Sequence, residues 1–144
     1  MKISAKAEYA CLAVLELALR MSQTEPIRAS EIAEANGIPQ RFLVQILLQL
    51  KGAGYVASTR GAAGGYRLAH PPQRISLWEI IQTIDGPSLA SLSEQTPKTK
   101  SVGWQVLHEV WDAVSHTEKT KLKETNFAQL VKLASRSGAD MYYI

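Results

Sequence analysis

The stretch RGAAGG, residues 60–65, lies between two short runs of strand-like composition, YVAST (55–59) and YRLAH (66–70). Glycines at such a junction supply the positive φ that a tight hairpin turn needs. A phosphate-cradling loop would need a Lys-Ser/Thr pair and a helix after the glycines. Here no Lys-Ser follows, and the next run is strand-like. The segment is therefore the tip of a two-stranded ribbon, with Arg60 at the start of its turn.

What precedes the ribbon fixes its context. SEIAEANGI (30–38) reads as a short helix with Ile32, Ala33 and Ala35 turned inward, stopped by Gly37 in a left-handed cap. Pro39 suits the first turn of the next helix, where its missing N–H has no partner in any case. In PQRFLVQILLQLKGAG, Phe42, Leu43, Ile46, Leu47 and Leu50 recur at spacings of three and four, and Gly54 ends the run. Two short helices joined through a glycine turn form a helix-turn-helix. Ahead of them stand a helix over 4–21 and an extended PIRA segment, whose proline suits a sheet edge. After the ribbon, SLWEIIQTIDG opens on Ser76 and Glu79 at capping-box spacing and closes on Gly86. This order predicts a mainly α fold with a small β-hairpin wing: a winged helix-turn-helix over 1–86.

Residues 87–101, PSLASLSEQTPKTKS, are polar and aperiodic and read as a mobile loop. VGWQVLHEVWDAVSH (102–116) reads as a helix with two apolar stripes. Trp104, Leu107, Trp111 and Val114 form one, and Val106, Val110 and Ala113 the other. Two stripes suggest one packed on the first helix and one buried in a homodimer. TEKTKLKET (117–125) reads as a solvated lysine-bearing stretch and NFAQLVKLASRSG (126–138) as a last helix. ADMYYI forms the tail. The expected organisation adds dimerisation helices over 102–136 and a tail over 137–144 to the 87–101 loop.

The charge is uneven. Residues 1–74 carry nine Lys/Arg and five Asp/Glu, net +4, whereas 75–144 carry seven and eight, net −1. The N-terminal part is thus the better partner for a polyanion. One cysteine, Cys11, allows no internal disulfide and no multi-cysteine metal site, and its apolar neighbours mark it as inert core. No run is apolar enough to span a membrane, and Glu8 and Glu16 interrupt any signal-peptide reading of the N-terminus. A cytoplasmic protein is expected. His70, His108 and His116 form no arrangement with a nucleophile or carboxylate, so no enzyme is expected.

The chemistry that fits is recognition of double-stranded DNA. The start of a recognition helix enters the major groove. There Gln40, Arg41 and Gln45 can read base edges, and Val44 can touch a thymine methyl. Arg60 on the wing can reach phosphates or a narrow minor groove, and Gly64 belongs to the glycine set that lets bare backbone approach DNA closely.

The MKISAKAEYA, EIAEANGIPQRFLVQILLQLKGAGYV, RGAAGGYRLA and ISLWEIIQTIDGP segments, in this order, resemble the Rrf2 family of bacterial transcription regulators, which includes the IscR, NsrR and CymR regulators. The likeness is close over 1–87 and looser over 102–134. It implies a homodimer joined by a long C-terminal helix on a pseudo-palindromic operator. By position it implies phosphate contacts from Lys6, Tyr9, Arg28 and Ala29, major-groove reading from Gln40 to Gln45, and minor-groove contact from Arg60 and Gly61. Val44 stands where some members carry a groove-facing glutamate. Cluster-binding members carry three cysteines before His-x-x-Trp. Here HEVW (108–111) is present and the cysteines are not. An iron–sulfur cluster needs thiolates on most of its irons, so no cluster or other cofactor is expected. His108 is then either a packed structural residue or part of an altered effector site. The alternatives to a self-sufficient repressor are control by a protein partner or small molecule near the 87–101 loop, and a winged-helix protein-interaction module.

Overall fold

The computed structural model describes residues 2–92 and 98–142. Helices α1 (Ala5–Leu19), α2 (Ala29–Asn36) and α3 (Gln40–Gly52) precede strands β1 (Val56–Thr59) and β2 (Gly65–Leu68). A single 3-10 turn, Pro72–Arg74, leads into α4 (Leu77–Leu92), α5 (Val102–Glu124) and α6 (Phe127–Tyr142). The fold is mainly helical with one two-stranded antiparallel hairpin.

Helix α1 is the central element. Ala7, Ala10 and Ala13 are fully buried, and their small side chains let α3, α4 and α6 all pack close to it. Val14 and Leu17 of α1 meet Leu43, Ile46, Leu47 and Leu50 of α3, Ile80, Ile81 and Ile84 of α4, and Phe127 of α6 in one core. Its N-terminus is tied down by a long-range contact that periodicity does not reveal. The Ser4 hydroxyl accepts from Ala7 N at 3.0 Å and donates to Asp85 Oδ1 at 2.5 Å, while Ser4 N donates to Asp85 Oδ2 at 3.1 Å. The buried Asp85 carboxylate is thereby satisfied at the N-terminus of α1, where negative charge is favoured.

The helix-turn-helix follows the sequence reading closely. Gly37 adopts φ 63° and closes α2, and Pro39 is the N-cap of α3. Leu43, Ile46, Leu47 and Leu50 are buried. Two inward expectations fail: Ala35 is exposed, and Phe42 is 39% exposed. The core side of α3 is the narrower 43/46/47/50 stripe, and Phe42 stands one residue outside it. The PIRA segment forms a single bridge, Ile27 with Tyr66, because Pro26 has no N–H to extend a ladder. The capping box forms in both directions: Ser76 N donates to Glu79 Oε2 at 3.1 Å and Glu79 N to Ser76 Oγ at 3.2 Å.

The C-terminal half departs from expectation in four ways. First, α4 does not stop at Gly86 but runs through Pro87 to Leu92. Proline has a helical φ and removes one hydrogen bond without forbidding the turn. Of the expected 87–101 loop, residues 93–97 lie outside the described residues. Second, α5 does not end at His116 and continues through the lysine-bearing stretch to Glu124. Lysine and glutamate are good helix formers, so solvation and helicity coexist there. Third, α6 passes Gly138 and extends to Tyr142. Fourth, neither stripe of α5 is buried against α1. Helix α5 lies along α4, and it is α6 that packs on α1.

Candidate nucleic-acid interface

The hairpin pairs Val56 with Leu68, Ala57 with Arg67, Ser58 with Tyr66 and Thr59 with Gly65. Its glycines serve two different needs. Gly61 has φ 104°, a conformation L side chains rarely adopt. Gly64 and Gly65 have no such φ; they are required by space. A Cβ on Gly64 would collide with the carbonyl oxygen of Thr59, and one on Gly65 would lie 2.6 Å from the carbonyl oxygen of Ile27. The latter position is crowded because Ile27 and Tyr66 exchange hydrogen bonds beside it, at 3.0 and 2.7 Å. Gly65→Ala is therefore expected to destabilise the protein by about 1–3 kcal/mol through overpacking, read as a lowered urea midpoint.

Two arginines lock the wing to the body. Arg28, the N-cap of α2, donates to the carbonyl of Ala62 at the wing tip, and Arg67 donates to the carbonyl of Thr24. Arg67 thus braces the ribbon. Arg28 holds the wing tip over the start of α2, so Arg28, Ala29, Ser58, Thr59, Arg60, Gly61, Gly64 and Tyr66 line one open groove of about 630 Å³. Arg28 and Arg60 are exposed, and no acidic residue lines that groove. Neither α2 nor α3 has a side-chain cap at its N-terminus. The N–H groups of Ala29 and Ser30 on α2 and of Gln40 and Arg41 on α3 remain available to phosphate oxygens, whereas those of Glu31 and Phe42 bond back to the Arg28 and Pro39 carbonyls.

The second surface is the outer face of α3. Arg41, Val44, Gln45 and Leu48, at helical spacing, are all exposed, with Val44 at 42% and Leu48 at 58%. Gln40 is exposed at the helix start. The Arg41 guanidinium stacks over Phe42, 4.8 Å from its ring centre. Lys6 and Tyr9 are half-buried on the first turns of α1, and neither lines the wing groove. The sequence reading missed Leu48 and the exposure of Phe42. The signal was there: both fall off the 43/46/47/50 stripe.

On α5, His108 is packed between two indoles. Its ring stacks on Trp104 at 3.7 Å and 19° and meets Trp111 edge-on at 5.1 Å and 65°. Its Nδ1 lies 2.9 Å from the Trp104 carbonyl, which makes Nδ1–H the donor. Cys11 is half-buried on α1, and burial, helped by Asp85 and Glu8, pushes its thiol up to about 12. It is unreactive at neutral pH, in keeping with a packing role.

The sequence profile of the Rrf2 family, described as iron-dependent transcriptional regulators, matches residues 3–133. The chain belongs to the Rrf2 family. It is 38% identical over 137 residues to a protein of Mycobacterium tuberculosis described as an HTH-type transcriptional regulator, covering 90% of this chain and 81% of that one. It is 31% identical over 147 residues to the regulator CymR of Bacillus subtilis, covering both chains completely. Among solved structures it superposes on T. potens IscR with a TM-score of 0.78 and 30% identity, covering 95% of this chain and 90% of that one. The family consists of transcriptional regulators rather than enzymes, and this Rrf2 chain is a DNA-binding regulator of the same kind. No helix among the described residues is long and apolar enough to cross a membrane.

The family description raises iron, and the residues of this chain do not fit a thiolate-held cluster. Its one cysteine is half-buried on α1 with a thiol held protonated, and His108 lies on α5. No group of three His, Cys, Asp or Glu side chains able to hold a metal ion occurs among the described residues.

Proposed function

We propose that this Rrf2 regulator is a homodimeric repressor that binds a pseudo-palindromic operator without an iron–sulfur cluster. The observation that carries the reading is α5. It is 23 residues long and none of its residues is buried. Val102, Val106, Leu107, Val110, Trp111 and Val114 are each more than half exposed. A continuous apolar face of this kind requires a partner, and a second copy supplies a self-complementary one. The interface is formed by both stripes: Trp104, Leu107, Trp111 and Val114 together with Val106 and Val110. Two copies then present two α3 faces and two wings, which match two half-sites about 34 Å apart. A dimer seated on an operator that overlaps a promoter would exclude polymerase, which is the repressor reading, and such a regulator works in the cytoplasm. The pairing of His108 with two indoles favours the packed structural role over an effector role. The bare arginine groove and the acid-free start of α3 favour DNA over a protein-interaction module.

Within this reading, Arg60 and Gly61 reach the minor groove, Arg28 and Ala29 hold phosphates beside them, and Lys6 and Tyr9 touch the backbone from α1. Gln40, Arg41, Val44 and Gln45 face base edges. The test is binding of the chain to DNA selected from random sequence, followed by Arg60→Ala at the same salt. Affinity should fall by roughly 5- to 150-fold, as for removal of an interaction worth about 1–3 kcal/mol. The dependence on salt should also flatten by about one unit of slope for each phosphate that is no longer neutralised. Equal affinity in parent and variant refutes the wing's role.

A further inference from the structure

Beside the joint between the winged-helix body and α5 lies a hollow of about 350 Å³, lined by Gln73, Arg74, Ser76, Trp78, Glu79, Lys123 and Asn126. In the chain it follows the base of the wing, with Arg74 six residues after β2 ends at Leu68. Two cations, Arg74 and Lys123, line it, and a third, Lys119, stands beside it on Trp78. Lys119 and Lys123, one turn apart on α5, both lean on the Trp78 ring, with Nζ 5.0 and 5.7 Å from its centre. Arg74 forms part of the wall from the 3-10 turn.

Four residues apart on α5, the two lysines are neighbours by helix geometry, and their mutual repulsion over one indole is one that an anion would offset. Among the described residues the ion pairs all involve Arg20, so none of the three is neutralised by a carboxylate there. The one acid in the wall, Glu79, already accepts from Ser76 N in the capping box. Asn126 Oδ1 accepts from Gln129 N at 2.9 Å, which leaves its amide N–H₂ for another acceptor. The lining thus offers two cations, an amide donor and a flat apolar wall, against the single carboxylate of Glu79. That is the complement of a small molecule bearing several oxyanion groups.

We propose that this hollow binds a small polyanionic metabolite carrying carboxylate or phosphate groups. Its position gives it a lever. Leu77 N donates to Thr125 O at 2.9 Å and Phe127 N to Ile75 O at 3.0 Å, a backbone seam that joins the start of α4 to the α5–α6 junction. A ligand bridging Arg74 to Lys123 ties the same two parts by their side chains. It therefore sets how α5 is held relative to the wing. The effect on DNA affinity rests on the function proposed above; the binding itself does not.

The experiment titrates pyrophosphate and, separately, citrate into the full chain by calorimetry and tryptophan fluorescence, with ionic strength held constant by KCl. Saturable binding of either is expected, at least tenfold weaker in the double variant Arg74→Gln/Lys123→Gln, with the fluorescence change abolished in Trp78→Phe. The arm that saturates identifies phosphate or carboxylate as the recognised group. Signals that fail to saturate, or that are the same in the double variant, overturn the proposal. So does a double variant that, with neither anion present, binds selected DNA more weakly than the parent, because the cations would then serve DNA phosphates. If the parent bound no DNA at all, the calorimetric result would still stand or fall alone.

Discussion

Val110→Asp is expected to convert the protein to a monomer and to lower its affinity for a two-half-site DNA by on the order of 10²–10⁴-fold. The residue lies in the middle of the apolar face of α5 and is 57% exposed in the single chain. In a symmetric dimer both copies would bury a new carboxylate in an apolar seam without a partner, which costs several kcal/mol per ion. The folding of one chain should hardly change, because the position is outside the core and surface substitutions usually fall within about ±0.5 kcal/mol. Sedimentation reads the assembly, circular dichroism reads the fold, and a binding isotherm reads the avidity. A variant that stays dimeric shows that α5 is not the interface. A monomer with undiminished affinity shows that the DNA is read by one copy alone.

The second large effect concerns how the C-terminal helices are fastened to the rest. Phe127 is completely buried in the core, at the first residue of α6. It is the side chain by which α6 anchors beside α1, and its N–H bonds to the Ile75 carbonyl at 3.0 Å. Phe127→Ala removes the ring and leaves a cavity, at a cost of about 3–5 kcal/mol. With a urea slope of about 1–3 kcal/mol/M for a small protein, the midpoint should fall by roughly 1–5 M. Phe42→Ala is the contrast: that ring is partly exposed on α3, so its removal should cost about 1 kcal/mol or less. Equal losses at the two positions would mean that α6 is not seated on the core.

The winged helix-turn-helix half was legible because its signals are local. Gly37 closes α2 through its own φ, and Ser76 and Glu79 cap α4 across three residues. Four apolar residues of α3 face inward because a 3.6-residue period leaves them no other common side. The candidate DNA face was legible by subtraction: Gln40, Arg41, Val44 and Gln45 are what the core stripe of α3 leaves outside. Phe42 and Ala35 are apolar by type but lie off the buried period, so type alone misplaces them. Gly86 and the lysine run of 117–125 lie within or along helices, because glycine weakens a helix without stopping it and lysine supports one.

The sequence by itself determined the element types, the winged order, the family and the charge that marks the N-terminal part for a polyanion. These depend on spacing, capping and composition, which act within a few residues. Only the tertiary structure decided that Arg28 clasps the wing tip and that Ser4 satisfies a buried Asp85, 81 positions away. It also decided that Gly64 and Gly65 are glycines for want of space and that Lys119 and Lys123 meet on Trp78. It placed α6 rather than α5 against α1. Each of these depends on which surfaces meet after the chain has turned back on itself. An apolar stripe states that a face must be covered; it does not carry the address of what covers it.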